Sequence, residues 1–167
     1  MRKTNRATQF SVELTSALAE RRAFGLKWHK NWGIEDTRET IDVVGLQKGI
    51  PRMFIEVELR RQNPSSNVIK IWKAIEDGDL PGRKILLVQA FSKIFHNRGK
   101  ARQKELADFV GRKMSEQLGG FRYVQVPFPY NPQHGGLIGG GARKKQARRL
   151  VDILIADKSL KRALGHQ

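Results

Sequence analysis

Cysteine is absent from this sequence. That excludes disulfides, thiol nucleophiles and cysteine-ligated zinc, and it agrees with a reducing, cytoplasmic location. Long apolar runs are missing as well. A membrane-spanning helix needs about 18 or more consecutive apolar residues. An anionic bilayer surface calls for such a span or for a long amphipathic basic helix, so no membrane partner is expected. Residues 1–10 are basic with no apolar stretch behind them, which points away from a secretory signal. The four histidines, His29, His96, His134 and His166, are scattered, and no two have the spacing of a helical zinc site. No G-x-x-x-x-G-K-[ST] loop occurs, so nucleotide hydrolysis is not inferred.

Acidic residues are scarce: 16 Asp and Glu stand against 32 Lys and Arg, a net charge of +16. Solubility alone does not explain such an excess in a chain of 167 residues. It asks for a polyanionic partner, and nucleic acid is the commonest one.

The length suits one domain, 1–167, and an apolar content of 39% supports a packed core. Residues 8–22 read as a helix with Phe10, Leu14, Ala17 and Leu18 on one stripe and Thr8 as N-cap, ended by Gly25. Phe24 to Trp32 is either a short strand or an extended loop. Residues 40–46 and 53–59 are rich in β-branched and large apolar side chains and read as two strands joined by a hairpin around Lys48. Asn63-Pro64-Ser65-Ser66 opens a helix to about Asp77 with Val68, Ile71, Trp72 and Ile75 on one face. Residues 84–91 read as a strand buried on both faces, 100–118 as a helix, and 121–126 as a last strand. A Gly/Pro-rich loop, 127–141, leads to a basic helix over 142–164. Early hairpins followed by helical crossovers predict an α/β fold with a mixed sheet flanked by helices.

Alternate residues of a strand share a face. Phe54, Glu56, Glu58 and Arg60 therefore point one way, and Met53, Ile55, Val57 and Leu59 point to the core. The two carboxylates of the first set would stand about 7 Å apart. A hairpin closed around Lys48 brings Asp42 opposite the region between Phe54 and Glu56. Carboxylates gathered in this way repel one another unless a cation or a shared proton relieves them. Hard divalent ions such as Mg²⁺ take oxygen ligands and suit phosphoryl chemistry. The alternative is a solvated strand face whose acids pair with Arg60, Arg61 or Lys70.

In their motif and element order, residues 8–91 resemble the core of the PD-(D/E)XK nucleases, the superfamily of restriction endonucleases and Holliday junction resolvases. The resemblance implies a restriction-endonuclease-like αβββαβ core and a Mg²⁺-dependent DNA endonuclease, with Mn²⁺ as a substitute. A restriction-type enzyme of this kind would act as a homodimer to cut both strands. Asp42 matches the first motif acid and Glu56 the second, both as metal ligands, with the Val57 main-chain carbonyl as a further one. Glu13, on the first helix, fits the place of an additional acid better than Glu20 does. Ile41 stands where the motif has proline, and Glu58 stands where it has lysine. Three residues remain candidates for the lysine's work: Glu58 orienting the attacking water, Arg60 on the same face, or Lys70 on the following helix. The helical wheel turns Lys70 away from the Val68/Ile71/Trp72 stripe. Gln89, on the Ile85/Leu87/Phe91 face of the buried strand, is read as a satisfied strand residue in preference to a ligand-binding one.

Phosphate contacts come from Lys and Arg and set affinity more than sequence choice. Arg143, Lys144, Lys145, Arg148 and Arg149 follow Gly139-Gly140-Gly141 at the opening of the last helix. There they are candidate phosphate contacts, or the solvated face of a helix after a hinge. Trp28-His29-Lys30-Asn31-Trp32 either stacks on bases through Trp28 with Lys30 beside it, or caps the core. Residues 92–102 form a second basic loop. A non-catalytic nucleic-acid-binding protein, including one of ribosomal type that binds RNA, is the alternative to a nuclease.

Overall fold

The computed structural model describes residues 6–35, 37–60, 63–130 and 140–165. Arg61, His134, Gly139 and His166, named above, lie outside them. The elements are α1 (Arg6–Glu20), a 3₁₀ turn (Ala23–Gly25), β1 (Lys27–Gly33), β2 (Thr40–Gln47), β3 (Ile50–Glu58), α2 (Ser65–Asp77) and β4 (Ile85–Ser92). A second 3₁₀ turn (Lys93–His96) is followed by α3 (Arg98–Gln117), β5 (Phe121–Phe128), α4 (Gly140–Ala156) and α5 (Lys158–Ala163).

The five strands form one mixed sheet in the order β1-β2-β3-β4-β5. The β1–β2 and β2–β3 pairs are antiparallel, and β3–β4 and β4–β5 are parallel. Connection length decides this. β2 and β3 are joined by the two-residue turn Lys48-Gly49, both residues at positive φ (52° and 82°), as a tight hairpin turn requires. The register then shifts between Gly45 and Leu46, and Pro51 enters β3 beside that irregularity, where proline is tolerated. The two parallel joins use α2 and α3 as crossovers.

Each face of the sheet has its own core. Met53, Ile55 and Val57 pack with Phe10, Leu14 and Leu18 of α1 and with Ala147, Leu150 and Leu154 of α4. Phe54, Val44 and Leu87 pack on the other face with Val68, Ile71 and Ala74 of α2 and Met114 of α3. The strand alternation inferred from the sequence is therefore real, but the carboxylate side of β3 is roofed by α2.

Several expected boundaries move. α1 is already helical at Arg6, so Thr8 does not cap it. It stops at Glu20, not Gly25, and left-handed Arg22 and Phe24 (φ 45° and 56°) turn the chain beyond it. The stretch before Gly33 is a strand from Lys27 onward. β5 continues through Pro127 to Phe128, and residues 131–139 of the expected loop lie outside the described residues. The basic C-terminal helix begins at Gly140 and breaks at Asp157, whose carboxylate accepts from the Ser159 and Leu160 N–H groups and caps α5.

Trp28 belongs to the core. It is 7% exposed, and its indole N–H donates to the Ala23 carbonyl at 3.2 Å. Its ring lies over Gly45, where a Cβ would approach to 2.8 Å. Bases have no open ring face to stack on there, which removes Trp28 as a nucleic-acid contact. Lys30, two positions on, is exposed on edge strand β1.

Candidate active site

The site lies where β2 and β3 part. β2 stays paired with β1 as far as Gly33↔Thr40, whereas its pairing with β3 ends at Val43↔Ile55. One step further, a side chain replaces the backbone acceptor: the Val57 N–H donates to Asp42 Oδ2 at 2.9 Å. The fork that results is bridged from α2. Lys70 Nζ donates to the Thr40 carbonyl at 2.5 Å on the β2 side and stands 2.9 Å from Glu56 Oε1 on the β3 side. The Lys70 side chain is 12% exposed and that of Glu56 1%.

Burial raises the Glu56 carboxyl well above its ordinary range, and the neighbouring Asp42 charge raises it further. Lys70 opposes both by charge and proximity, and Glu58 adds a smaller push upward. Asp42 and Glu56 thus feel one another directly, as the hairpin register implied. At 2.9 Å the Lys70–Glu56 contact is an ion pair whose direction is poor for a hydrogen bond, and Glu56 Oε1 receives no aligned donor. A buried carboxylate is costly unless a cation or proton neutralises it, and Lys70 is the cation beside this one.

Glu58 is equally buried, at 1% exposure. Its Oε1 accepts from Asn67 Nδ2 at 2.6 Å and from Gln89 Nε2 at 2.7 Å. Gln89 Nε2 also donates to the Pro64 carbonyl at 2.8 Å, and Gln89 Oε1 accepts from the Tyr123 hydroxyl at 2.6 Å. The Tyr123 oxygen in turn accepts from Gln125 Nε2 at 2.8 Å, which also donates to the Lys104 carbonyl at 3.0 Å. A chain of hydrogen bonds thereby links β3, α2, β4, β5 and α3. Burial raises the Tyr123 hydroxyl out of its ordinary range, so it remains a donor throughout.

Among the sequence candidates, the structure gathers Asp42, Glu56 and Lys70 and buries Glu58 beside them. Lys70 reaches the site although the apolar stripe turns it aside, because the buried face of α2 includes Asn67 as well as Val68, Ile71 and Ala74. Lys70 flanks that face, and its long stem reaches across to β3. Arg60 is not brought in: β3 ends at Glu58, strand alternation does not extend to residue 60, and Arg60 is exposed. Glu13 is not brought in either. Its helix docks on the Met53/Ile55/Val57 face, opposite the one that α2 covers. Among the described residues, no three His, Cys, Asp or Glu side chains stand close enough to hold one ion, so the expected three-carboxylate cluster is reduced to a pair. Of the alternative reading, the solvated face is overturned, since both Glu56 and Glu58 are buried, but its ion pair is present: Glu56 pairs with Lys70.

Sequence reasoning missed Asn67, Tyr123 and the Thr40 carbonyl. Asn67 left a signal: it lies four residues before Ile71, an amide within an otherwise apolar face. Gln89 is satisfied, as expected, but by functional groups of the site itself.

The basic residues of α4 have a definite place. Arg148 pairs with Glu20 at 3.0 Å, Arg21 with Asp152 at 2.5 Å, and Ile155 reaches the Arg21–Gly25 turn. α4 therefore runs in the same direction as α1. Its start lies toward the α1 end where Phe10 packs on Phe128, at the close of β5 (ring centroids 5.5 Å apart). β3 and β4 finish at this same end of the sheet. Lys144, Lys145, Arg148 and Arg149 line an open surface along the helix, and Arg143 is half-buried near its start.

No protein-family model matches the chain, and no curated protein matches it in sequence.

Proposed function

We propose that this protein is a Mg²⁺-dependent DNA endonuclease of the PD-(D/E)XK type. Its acidic pair is Asp42 and Glu56, and its lysine is supplied by α2 as Lys70. The observation that carries this reading is the fork between β2 and β3, bridged by Lys70 and lined by two interacting carboxylates. The element order α-β-β-β-α-β, with antiparallel then parallel pairing, supports it.

The donors fit a hard divalent ion. They are oxygen-only and they repel one another, and the Lys70 ammonium offsets only part of that repulsion. Mg²⁺ is commonly held by one or two carboxylates, with water and substrate phosphate oxygens completing the shell. Asp42 and Glu56 would hold it, with the Val57 carbonyl as the further ligand the resemblance implies; Mn²⁺ would substitute. When bound, the ion would polarise the scissile phosphate and lower the pKa of the attacking water.

The residues of the chain do the rest. Asp42 is held in place by the Val57 N–H. Glu56, held as the partner of Lys70, would offer its carboxylate oxygen to the ion. Lys70, released from part of its pairing with Glu56, faces the negative charge that grows on the phosphate. The basic start of α4, at the same end of the sheet, receives backbone phosphates and gives salt-dependent affinity. Duplex cleavage by such a site implies two copies acting together on the DNA.

The absence of a three-acid group among the described residues favours a second reading, a nucleic-acid-binding protein without catalysis. Plasmid DNA incubated with the purified protein and Mg²⁺ or Mn²⁺ separates the two. Cleavage that requires the metal and is lost in Glu56→Ala supports the nuclease. Binding without cleavage, across supercoiled, branched and RNA substrates, supports the alternative.

A further inference from the structure

We propose that Glu58 is a positioning residue: with Asn67 and Gln89 it locks the first turns of α2 onto β3 and β4, and this lock sets Lys70 on Glu56. The inference rests on the reading of the Asp42/Glu56/Lys70 site given above and assigns Glu58 a task other than orienting water.

The geometry separates the two neighbouring glutamates of β3. Glu56 Oε1 has an ammonium beside it and no aligned donor. Glu58 Oε1 already accepts two amide hydrogen bonds, at 2.6 Å from Asn67 and 2.7 Å from Gln89. Both bonds lead to the start of α2. Asn67 is on its first turn, and Gln89 also binds the carbonyl of Pro64, the residue before the helix. Lys70 follows Asn67 by three positions, the spacing at which helical side chains are neighbours. The rotation and height of α2 over the sheet, and hence the reach of Lys70, are therefore set by what Glu58 accepts. A lysine at the Glu58 position would bring a second ammonium to this end of β3 and would remove the oxygen that Asn67 Nδ2 and Gln89 Nε2 share.

The role needs an acceptor oxygen, not a negative charge, which makes it testable. A glutamine at position 58 still offers a carbonyl oxygen to both amides, whereas it is a poor substitute for a metal ligand or a general base. The experiment compares the full-length parent with Glu58→Gln, Glu58→Ala and Asn67→Ala in two measurements. The first is the single-turnover rate of plasmid cleavage in Mg²⁺. The second is the rate at which an amine-acylating reagent modifies Lys70, read by peptide mass spectrometry against Lys73, whose side chain is 73% exposed.

Glu58→Ala and Asn67→Ala are expected to lower the cleavage rate about 10²-fold, the scale of a misplaced catalytic group, with Lys70 labelling at a rate approaching that of Lys73. Glu58→Gln is expected to rescue both. The proposal is overturned if Glu58→Gln loses cleavage as completely as Glu58→Ala while Lys70 stays protected, because Glu58 would then act on the metal or water itself. Should the parent cut no DNA, the labelling decides alone. Lys70 exposed by Asn67→Ala and protected in Glu58→Gln sustains the lock while the nuclease reading fails. Equal protection in every variant removes the lock.

Discussion

Lys70 Nζ stands 2.9 Å from Glu56 Oε1, in a gap that opens because the β2–β3 ladder ends at Val43↔Ile55. Removing this ammonium leaves a buried carboxyl beside the Asp42 and Glu58 charges. Lys70→Met keeps most of the stem's packing and deletes the charge. A buried polar group stripped of its partner costs about 1–3 kcal/mol, and here Glu56 limits the cost by holding its proton. Urea unfolding should therefore show a loss of that size at pH 8 and a clearly smaller one at pH 5. An equal loss at both pH values would mean that the ion pair does not govern the site.

The raised Glu56 carboxyl gives the metal-free protein a pH dependence of definite sign. The folded state binds this proton more tightly than the unfolded chain does, chiefly because of burial and then because of Asp42. The stability it contributes is complete below the ordinary value of 4.5 and is lost as pH rises through the raised value. Melting temperatures measured from pH 5 upward should fall more steeply in the parent than in Glu56→Gln, which has no proton to lose. Mg²⁺ should recover the parent's loss at high pH and leave Glu56→Gln nearly unchanged.

Gly111 on α3 and Tyr123 on β5 meet without room for a methyl group, since a Cβ on Gly111 would come within 2.3 Å of the Tyr123 ring. Alanine improves helix propensity by about 1 kcal/mol over glycine, yet overpacking costs about 1–3 kcal/mol. Gly111→Ala should lower the melting temperature and disturb the Tyr123–Gln89 hydrogen bond. A stabilised variant would show that the helix can give way.

Asp157 breaks the basic C-terminal helix in two by capping α5 through Ser159 and Leu160. Asp157→Ala should cost about 1 kcal/mol in chemical denaturation, the usual value of a lost N-cap, and Asp157→Asn much less, because asparagine caps about as well as aspartate. The Ser159 hydroxyl, followed by the backbone donors, holds this carboxyl below its ordinary value. Its contribution is therefore present above pH 3.8 and fades as pH falls.

These residues also mark what could be read from the chain alone. The alternation of Met53 to Glu58 and the two-residue turn at Lys48-Gly49 fix β2 against β3, so the Asp42/Glu56 pairing was legible. Lys70 was misjudged because a helical wheel scored by apolar residues ignores Asn67 and the reach of a lysine stem. The task of Glu58 was hidden for a different reason. Its partner Gln89 lies on another strand, and only the parallel pairing Glu56↔Gln89 brings it near. The sequence leaves Trp28 open between core and surface, and only the close approach of its ring to Gly45 decides for the core. The break at Asp157 lay inside a basic, regularly spaced segment, where a single capping carboxylate is easily taken for one more helical position.

The central claim, that Lys70 does the work of the missing motif lysine in a metal-dependent DNA-cutting site, is tested most directly by single-turnover cleavage of plasmid DNA in Mg²⁺ by the parent, Lys70→Ala and Arg60→Ala. The expected result is metal-dependent cutting by the parent, a loss of about 10²-fold or more in Lys70→Ala, as for removal of a group that stabilises transition-state charge, and a rate close to the parent's in Arg60→Ala. Cutting that survives in Lys70→Ala and disappears in Arg60→Ala, or no cutting by any of the three, would contradict it.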